Sequence, residues 1–330
     1  MTLTTGFTRI FDNEALVPQS WRDSRGDGFR VFNPSLLADG DGYIMAYRVV
    51  SEALGRKIAF CRLNANLDII ADSVTPFSDH LLLDPACYPS ASLSWHADPR
   101  LFRLDGRDYL YWNDGYKKPH NNQFVCAIDR HALRPVGRPL LLGKTGDRQM
   151  IEKNWGLFFD GQIKALYASD PFTVMAVRTI GDDDLLFEEV DVRGPLVPSA
   201  PGLGLLRGGA APILWQGEYY HFCHATFYSG TSTRSYKAAV FTFDADCRTG
   251  LRRIARRAIE LPNPFASDRL YPPLNPNAGS VIYVCGALRL PEGWLLAYGI
   301  DDERCALHLM SQAQVDDHMM AAVTGTAHPS

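Results

Sequence analysis

From residue 30 onward, apolar and polar positions alternate over short stretches, and the stretches are separated by turns rich in Asp and Gly. Phe32-Asn33-Pro34-Ser35-Leu36-Leu37 runs into Asp39-Gly40-Asp41-Gly42, returns over 43–50, and is followed by a third apolar stretch at 57–63. A period of two closed by Asp-Gly chemistry predicts strand, hairpin and strand. The pattern returns four more times. It is seen at 98–101, Asp105-Gly106, 109–112 and 124–128; at 154–159, Asp160-Gly161, 163–167 and 174–177; at 211–214, Gly217, 219–224 and 238–243; and at 281–287, Glu292-Gly293, 294–299 and 306–310. Equivalent points lie about 55–70 residues apart, longer than the repeats of about 40–50 residues common in propellers, and the excess is loop. Five such units without helical periodicity between them predict an all-β fold, a five-bladed β-propeller. A two-sheet sandwich is the competing architecture, but the repeated turn and the similar strand lengths favour the propeller. The expected organisation is an N-terminal arm over 1–29, polar and irregular, a single propeller domain over 30–312, and a tail over 313–330. Only 311–322 carries a helical face.

Composition narrows the partners. The chain has 330 residues, 46 % of them hydrophobic, enough for a substantial core. Its 33 Lys and Arg nearly balance 37 Asp and Glu, for a formal charge of −4, which argues against a nucleic-acid surface or an anionic membrane as partner. The basic run at 252–257 reads as a solvated strand or turn. Seven cysteines are spaced singly, with no Cys-x-x-Cys pair, and several lie in apolar strands. They are expected to be buried, reduced thiols, as suits the cytoplasm. No basic segment followed by an apolar core opens the chain, and no stretch approaches the roughly 18 apolar residues of a membrane helix. The expectation is a soluble, cytoplasmic protein; a homo-oligomer is left open.

The charges then fall into a pattern. In a propeller, polar groups at the ends of the innermost strands collect around one funnel. The first repeat offers Asn33 and Arg48, the second Asp98 and Arg100, and the third Glu152, Lys153 and Asn154. The fourth adds Arg207-Gly208-Gly209 and His224, and the fifth Asp301, Asp302, Glu303 and Arg304. Each has a plainer reading: Arg48 and Arg100 as ties between blades, Lys153 as a loop lysine, His224 as a core histidine, Asp98 and Asp301-Asp302 as turn residues. Their equivalent places in the repeats lift the set above its members. Arginine, lysine and protonated histidine together make a phosphate site, with arginine giving bidentate contacts. A carboxylic acid kept protonated beside them can donate to a leaving oxygen. A glycosidase needs a second carboxylate, whereas attack by phosphate dispenses with it. Trp95, Trp112, Tyr116, Trp155 and Tyr228 suit stacking on sugar faces, and the loops 117–122 and 262–277 are expected to shape an acceptor site. No cluster of His, Cys or carboxylates has metal-ligand spacing, so no metal is expected.

Asn33-Pro34, Tyr47-Arg48, Asp98-Pro99-Arg100, the Lys153 segment, His224 and Tyr298-Gly299-Ile300-Asp301-Asp302 follow one another in an order that resembles glycoside hydrolase family 130. The resemblance covers 30–310 and implies a five-bladed propeller that phosphorolyses β-mannosides with inversion. It implies Asp98 as the proton donor, acting through a sugar hydroxyl, and Asn33, Arg48, Arg100 and Asp302 as sugar-binding groups. It implies Lys153 and His224 as the phosphate site, with Arg148 as an addition. Inorganic phosphate or a sugar phosphate is then the co-substrate, an oligosaccharide or mannoside the substrate, and no further cofactor is expected. The versions Glu152-Lys153-Asn154-Trp155 and Arg207-Gly208-Gly209 look closer to relatives that act as β-mannosyltransferases. The leading expectation is an enzyme interconverting a β-mannoside plus phosphate with mannose 1-phosphate. A β-mannosyltransferase using a sugar nucleotide or sugar phosphate comes next, and a non-catalytic carbohydrate-binding propeller after it. A hydrolase pairing Asp98 with Glu152 or Asp302 is also open.

Overall fold

The structure, a computed structural model, describes residues 3–24, 26, 28–86, 88, 90–115, 120–229, 233–266 and 268–322. It is all-β. A short strand β1 (Thr8–Ile10) precedes five antiparallel runs. Run one is β2 (Arg30–Asp39), β3 (Gly42–Ser51) and β4 (Gly55–Leu63). Run two is β5 (Ala97–Leu104), β6 (Arg107–Asn113), β7 (Gln123–Asp129) and β8 (Arg134–Lys144). Run three is β9 (Gly156–Phe159), β10 (Ile163–Ser169), β11 (Phe172–Ile180) and β12 (Asp184–Glu189). Run four holds β13 (Leu205–Arg207), β14 (Ile213–Trp215), β15 (Glu218–Ser229), β16 (Thr233–Asp244) and β17 (Leu251–Ala255). Run five is β18 (Ala278–Leu290), β19 (Gly293–Ile300) and β20 (Arg304–Met310), and β21 (Met319–Ala321) follows. Turn chemistry behaves as the sequence predicts. Asp105 and Gly106, the two residues between β5 and β6, have φ of 45° and 73°, the positive values that a type I′ hairpin requires of both central residues.

Both ends of the chain differ from the expectation. The 1–29 arm is partly structural, because β1 lies antiparallel along β20, with Thr8 opposite His308 and Ile10 opposite Ala306. The tail helix is confined to α1 (Gln312–Asp316), opened by a Ser311/Gln314 capping box. Beyond it β21 pairs with β17. Each terminal strand covers a sheet edge whose backbone groups would otherwise stand open.

Two parallel pairings join neighbouring runs. β12 lies beside β8, Asp184 opposite Leu141, and β16 beside β18, Tyr236 opposite Val281. Run one shares no strand ladder with its neighbours. Apolar cores fill the spaces between consecutive runs. Phe60 and Ile44 of run one pack with Trp112 and Phe124 of run two. Tyr111 and Val125 pack with Trp155 and Met175 of run three, and Phe158 and Val174 with Tyr219 and Phe241 of run four. Phe222 and Val240 pack with Leu296 and Tyr298 of run five, and Leu295 and Leu307 return to Met45 and Tyr47 of run one. The contact order closes on itself. Six of the seven cysteines are described, all buried and unpaired; Cys87 lies outside the described residues. Among the described residues no helix is long and apolar enough to cross a membrane.

Candidate active site

β2 and β5 break register where the sequence carries Asn-Pro and Asp-Pro. On β2, Phe32 pairs with Arg48 and Ser35 with Ala46, so Asn33 and Pro34 face one residue of β3. On β5, Ala97 pairs with Asn113 and Arg100 with Tyr111, so Asp98 and Pro99 likewise face one. Proline has no N–H to give a ladder, and a bulge absorbs it. The extra residue takes a left-handed conformation, with φ of 55° at Asn33 and 53° at Asp98; Asn and Asp tolerate it best after glycine. Both side chains thereby leave the sheet and meet: Asn33 Nδ2 donates to Asp98 Oδ1 at 2.8 Å. Arg48 Nη1 lies 3.5 Å from the same oxygen.

These groups line a cavity of about 590 Å³ together with Lys153, His224 and Asp302. Six of the eight expected site residues are therefore brought together. Asp98 is buried, which favours its neutral form, but Arg48, Lys153, Arg100 and the Asn33 hydrogen bond outweigh burial and hold its carboxyl below the ordinary value. Asp302 goes the other way: burial raises it, with Asp98 and Asp301 adding repulsion against the pull of Arg48 and Lys153. His224 is pushed down to about 3, by burial first and then by Lys153. It is neutral rather than the cation expected. Its Nδ1 lies 2.9 Å from the Gly208 carbonyl oxygen. A carbonyl only accepts, so Nδ1 holds the proton and Nε2 is left as an acceptor.

Two expected ligands lie elsewhere. Arg100 is 1 % exposed and sits beneath the cavity rather than on its wall. Its guanidinium donates to Asn154 Oδ1 at 3.0 Å, Tyr283 Oη at 2.8 Å, the Asp98 carbonyl at 3.1 Å and the Gly209 carbonyl, tying runs two, three, four and five. Arg148 also does not line the cavity; its Nε donates to Glu152 at 2.7 Å and its Nη2 to the Asn121 carbonyl at 3.0 Å. Glu152 is closed off by that pair, by the Gln149 N–H at 2.9 Å and by Tyr167 Oη at 3.0 Å, which removes it as a second carboxylate in the cavity. Of the proposed stacking residues, Tyr228 lines the cavity, whereas Trp112 and Trp155 are fully buried in the cores. Trp95 lies under the Arg56 guanidinium, 3.7 Å from its ring centre. Tyr116 and 117–119 lie outside the described residues, and Asn275 of the 262–277 loop reaches the cavity.

The wall also holds Arg207, which the sequence reading placed with the fourth repeat, and Arg234, Tyr236 and Tyr283, which it did not assign. A usable signal existed for two of them. Arg234 and Tyr236 alternate along β16 and face Tyr228 and Thr226 across the ladder, which is visible once the hairpin register is drawn.

No family model matches the chain, and no curated protein matches its sequence. Solved structures do match in fold. A provisionally assigned glycosidase from Bacteroides thetaiotaomicron is 17 % identical over 94 % of each chain, with a TM-score of 0.64. A β-1,2-mannobiose phosphorylase from Listeria innocua is 13 % identical over 94 % of this chain and 98 % of its own, with a TM-score of 0.56. A GDP-Man-dependent mannosyltransferase from Leishmania mexicana is 13 % identical over 90 % and 89 %, with a TM-score of 0.55. The chain has a fold of the glycoside hydrolase family 130 kind.

Proposed function

We propose that the protein is a carbohydrate-active enzyme on a five-bladed propeller, its five runs being the blades, and that it transfers a mannosyl group between a β-mannoside and phosphate with inversion. The observation that carries this reading is the make-up of one cavity. Four cations (Arg48, Lys153, Arg207, Arg234) face two carboxylates (Asp98, Asp302) there, a net of +2 with histidine neutral. An anion belongs in that space, and Asn33, Asp98 and Asp302 supply donors and acceptors for sugar hydroxyls beside it. A phosphate oxygen attacks the anomeric carbon from the face opposite the glycosidic oxygen. The bond to that oxygen breaks, and the oxygen takes a proton from Asp98 through a sugar hydroxyl. The proton of hydrogenphosphate restores the balance, and the product is α-mannose 1-phosphate.

The low proton affinity of Asp98 fits this sequence of events. Arg48 and then Lys153 help keep it ionised, and a dianion bound beside them weakens that pull, so phosphate binding favours the acid form. A second reading, transfer from a sugar phosphate or sugar nucleotide, uses the same pocket and is favoured by arginines beyond those that one phosphate needs. Buried free thiols suit a reducing compartment, and a cytoplasmic location belongs to the reading.

The test is turnover of β-mannosides with inorganic phosphate. Mannose 1-phosphate is the expected product, and free mannose as the sole product overturns phosphorolysis. Asp98→Asn is expected to lower the rate by about 10²–10⁴-fold, the usual worth of a positioned acid, with the melting temperature little changed. Undiminished turnover removes Asp98 from the mechanism.

A further inference from the structure

The β15–β16 hairpin carries side chains into the cavity that the sugar and the first phosphate leave unused. Successive strand residues face opposite sides, so His224, Thr226 and Tyr228 share one face of β15. Across the ladder Thr226 pairs with Tyr236 and Tyr228 with Arg234, and Arg207 of β13 pairs with His224. All line the cavity. The face climbs from His224, 4 % exposed, to Tyr228, 62 % exposed, and so leads from the sugar end to the mouth.

Three features of this ramp ask for a ligand. Arg207 and Arg234 form no ion pair with a described carboxylate, and only Asp170 is near enough to Arg207 to act on it electrostatically. The hydroxyl of Thr226 is buried without a hydrogen-bond partner. The cavity also takes in Met150 and Ile151, both exposed, which give it an apolar wall. Arg234 stands level with Tyr228, four residues beyond His224, about 13 Å along a strand. A phosphate held by Lys153 at the His224 end therefore leaves Arg234 without an anion.

We propose that this ramp binds a second phosphate group, carried by the substrate on the far side of the bond that is cut; the proposal rests on the mannosyl-transfer reading for which bond that is. Two sources share the chemistry: a phosphorylated hexose as the acceptor, or a nucleoside diphosphate as the donor's leaving group, its base resting on Tyr228. Either gives arginine the bidentate partner it suits best.

Binding is read by calorimetry on the full chain, with mannose, mannose 6-phosphate and GDP as probes. The wild type is expected to hold at least one phosphorylated probe about tenfold more tightly than Arg207→Gln/Arg234→Gln, with mannose affected much less. Arg207→Lys/Arg234→Lys is expected to recover part of the affinity and guards against a folding defect. Selective loss for mannose 6-phosphate identifies a phosphorylated hexose, and selective loss for GDP a nucleotide. Equal affinities of wild type and Gln variant for both probes overturn the proposal. Phosphate release from mannose 1-phosphate with mannose as acceptor is measured separately. Its absence counts against the mannosyl-transfer reading, while the calorimetry still decides whether the ramp holds phosphate.

Discussion

At the scale of single residues, the cavity is built from unusual backbone. Asn33, Asp98, Asn154 and Asp302 all have positive φ and all line it. Such conformations cost on the order of 1–3 kcal/mol each and persist where surroundings over-determine them. Gly299 is one such surrounding: a Cβ there would stand 2.2 Å from Asn33 Oδ1 and 3.0 Å from its backbone N. Gly299→Ala is therefore expected to push Asn33 off Asp98, destabilising the fold by about 1–3 kcal/mol and raising KM for the sugar, as thermal melts and initial rates will show. A second prediction concerns acid. His96, His221 and His224 are pushed down to about 4, 3 and 3, chiefly by burial. The unfolded chain takes up protons first, so stability falls as pH drops below about 6.5, by up to about 1.4 kcal/mol per pH unit for each histidine. His221→Phe is expected to flatten that acid limb in melts from pH 7 to 4, and an unchanged slope counts against the assignment. Asn33 and Asp98 were legible as candidates from their equivalent places in the repeats, whereas the bulges that turn them into the cavity were not. The neutrality of His224 was not, because it depends on Lys153 and on burial by strands distant in sequence.

At the scale of elements, hairpins were readable and terminal strands were not. Asp105-Gly106 and Asp39-Gly40 announce their turns, and long alternating stretches flank them. β1 and β21 are three residues each, too short for a period of two to register, and their pairing is set by edges that only the assembled sheets present. β1 is held by its ladder, by Gly6 N–H to the Leu309 carbonyl at 2.8 Å and by Phe11 N–H to the Cys305 carbonyl at 3.1 Å. Deleting residues 1–11 also strips Phe11, 4 % exposed, from the core between runs five and one. The truncated chain is expected to melt lower and to be cleaved faster by protease near β20. An unaltered melting temperature would show the arm to be dispensable. The unassigned Arg234 and Tyr236 illustrate the other limit of reading by element. A residue's partner across a hairpin is fixed by register, and register follows from the turn, here at residues outside the described set.

At the scale of the whole molecule, Arg100, expected as a sugar ligand and alternatively as a tie between blades, serves as a tie between runs. Its donors reach groups from four of the five runs, all in the interior. Removing one partner of such a buried network leaves acceptors unsatisfied and costs about 3–5 kcal/mol. Arg100→Met is expected to lose that much in urea denaturation and to lower kcat by misplacing Asp98. A loss confined to KM for the sugar would instead make Arg100 a direct ligand. The two parallel ladders set another property. They weld runs two and three, and runs four and five, into doublets, and leave run one without a ladder to either neighbour, held by packing and by single hydrogen bonds such as Val31 N–H to the Glu303 carbonyl at 3.2 Å. Asn33 and Arg48 belong to run one, Asp98 to one flanking doublet and Asp302 to the other. A sugar gripped by all four spans both joints of run one. Hydrogen exchange in β2–β4 should accordingly slow on ligand binding more than exchange anywhere else in the molecule, so that the protein is stiffest while its substrate is in place.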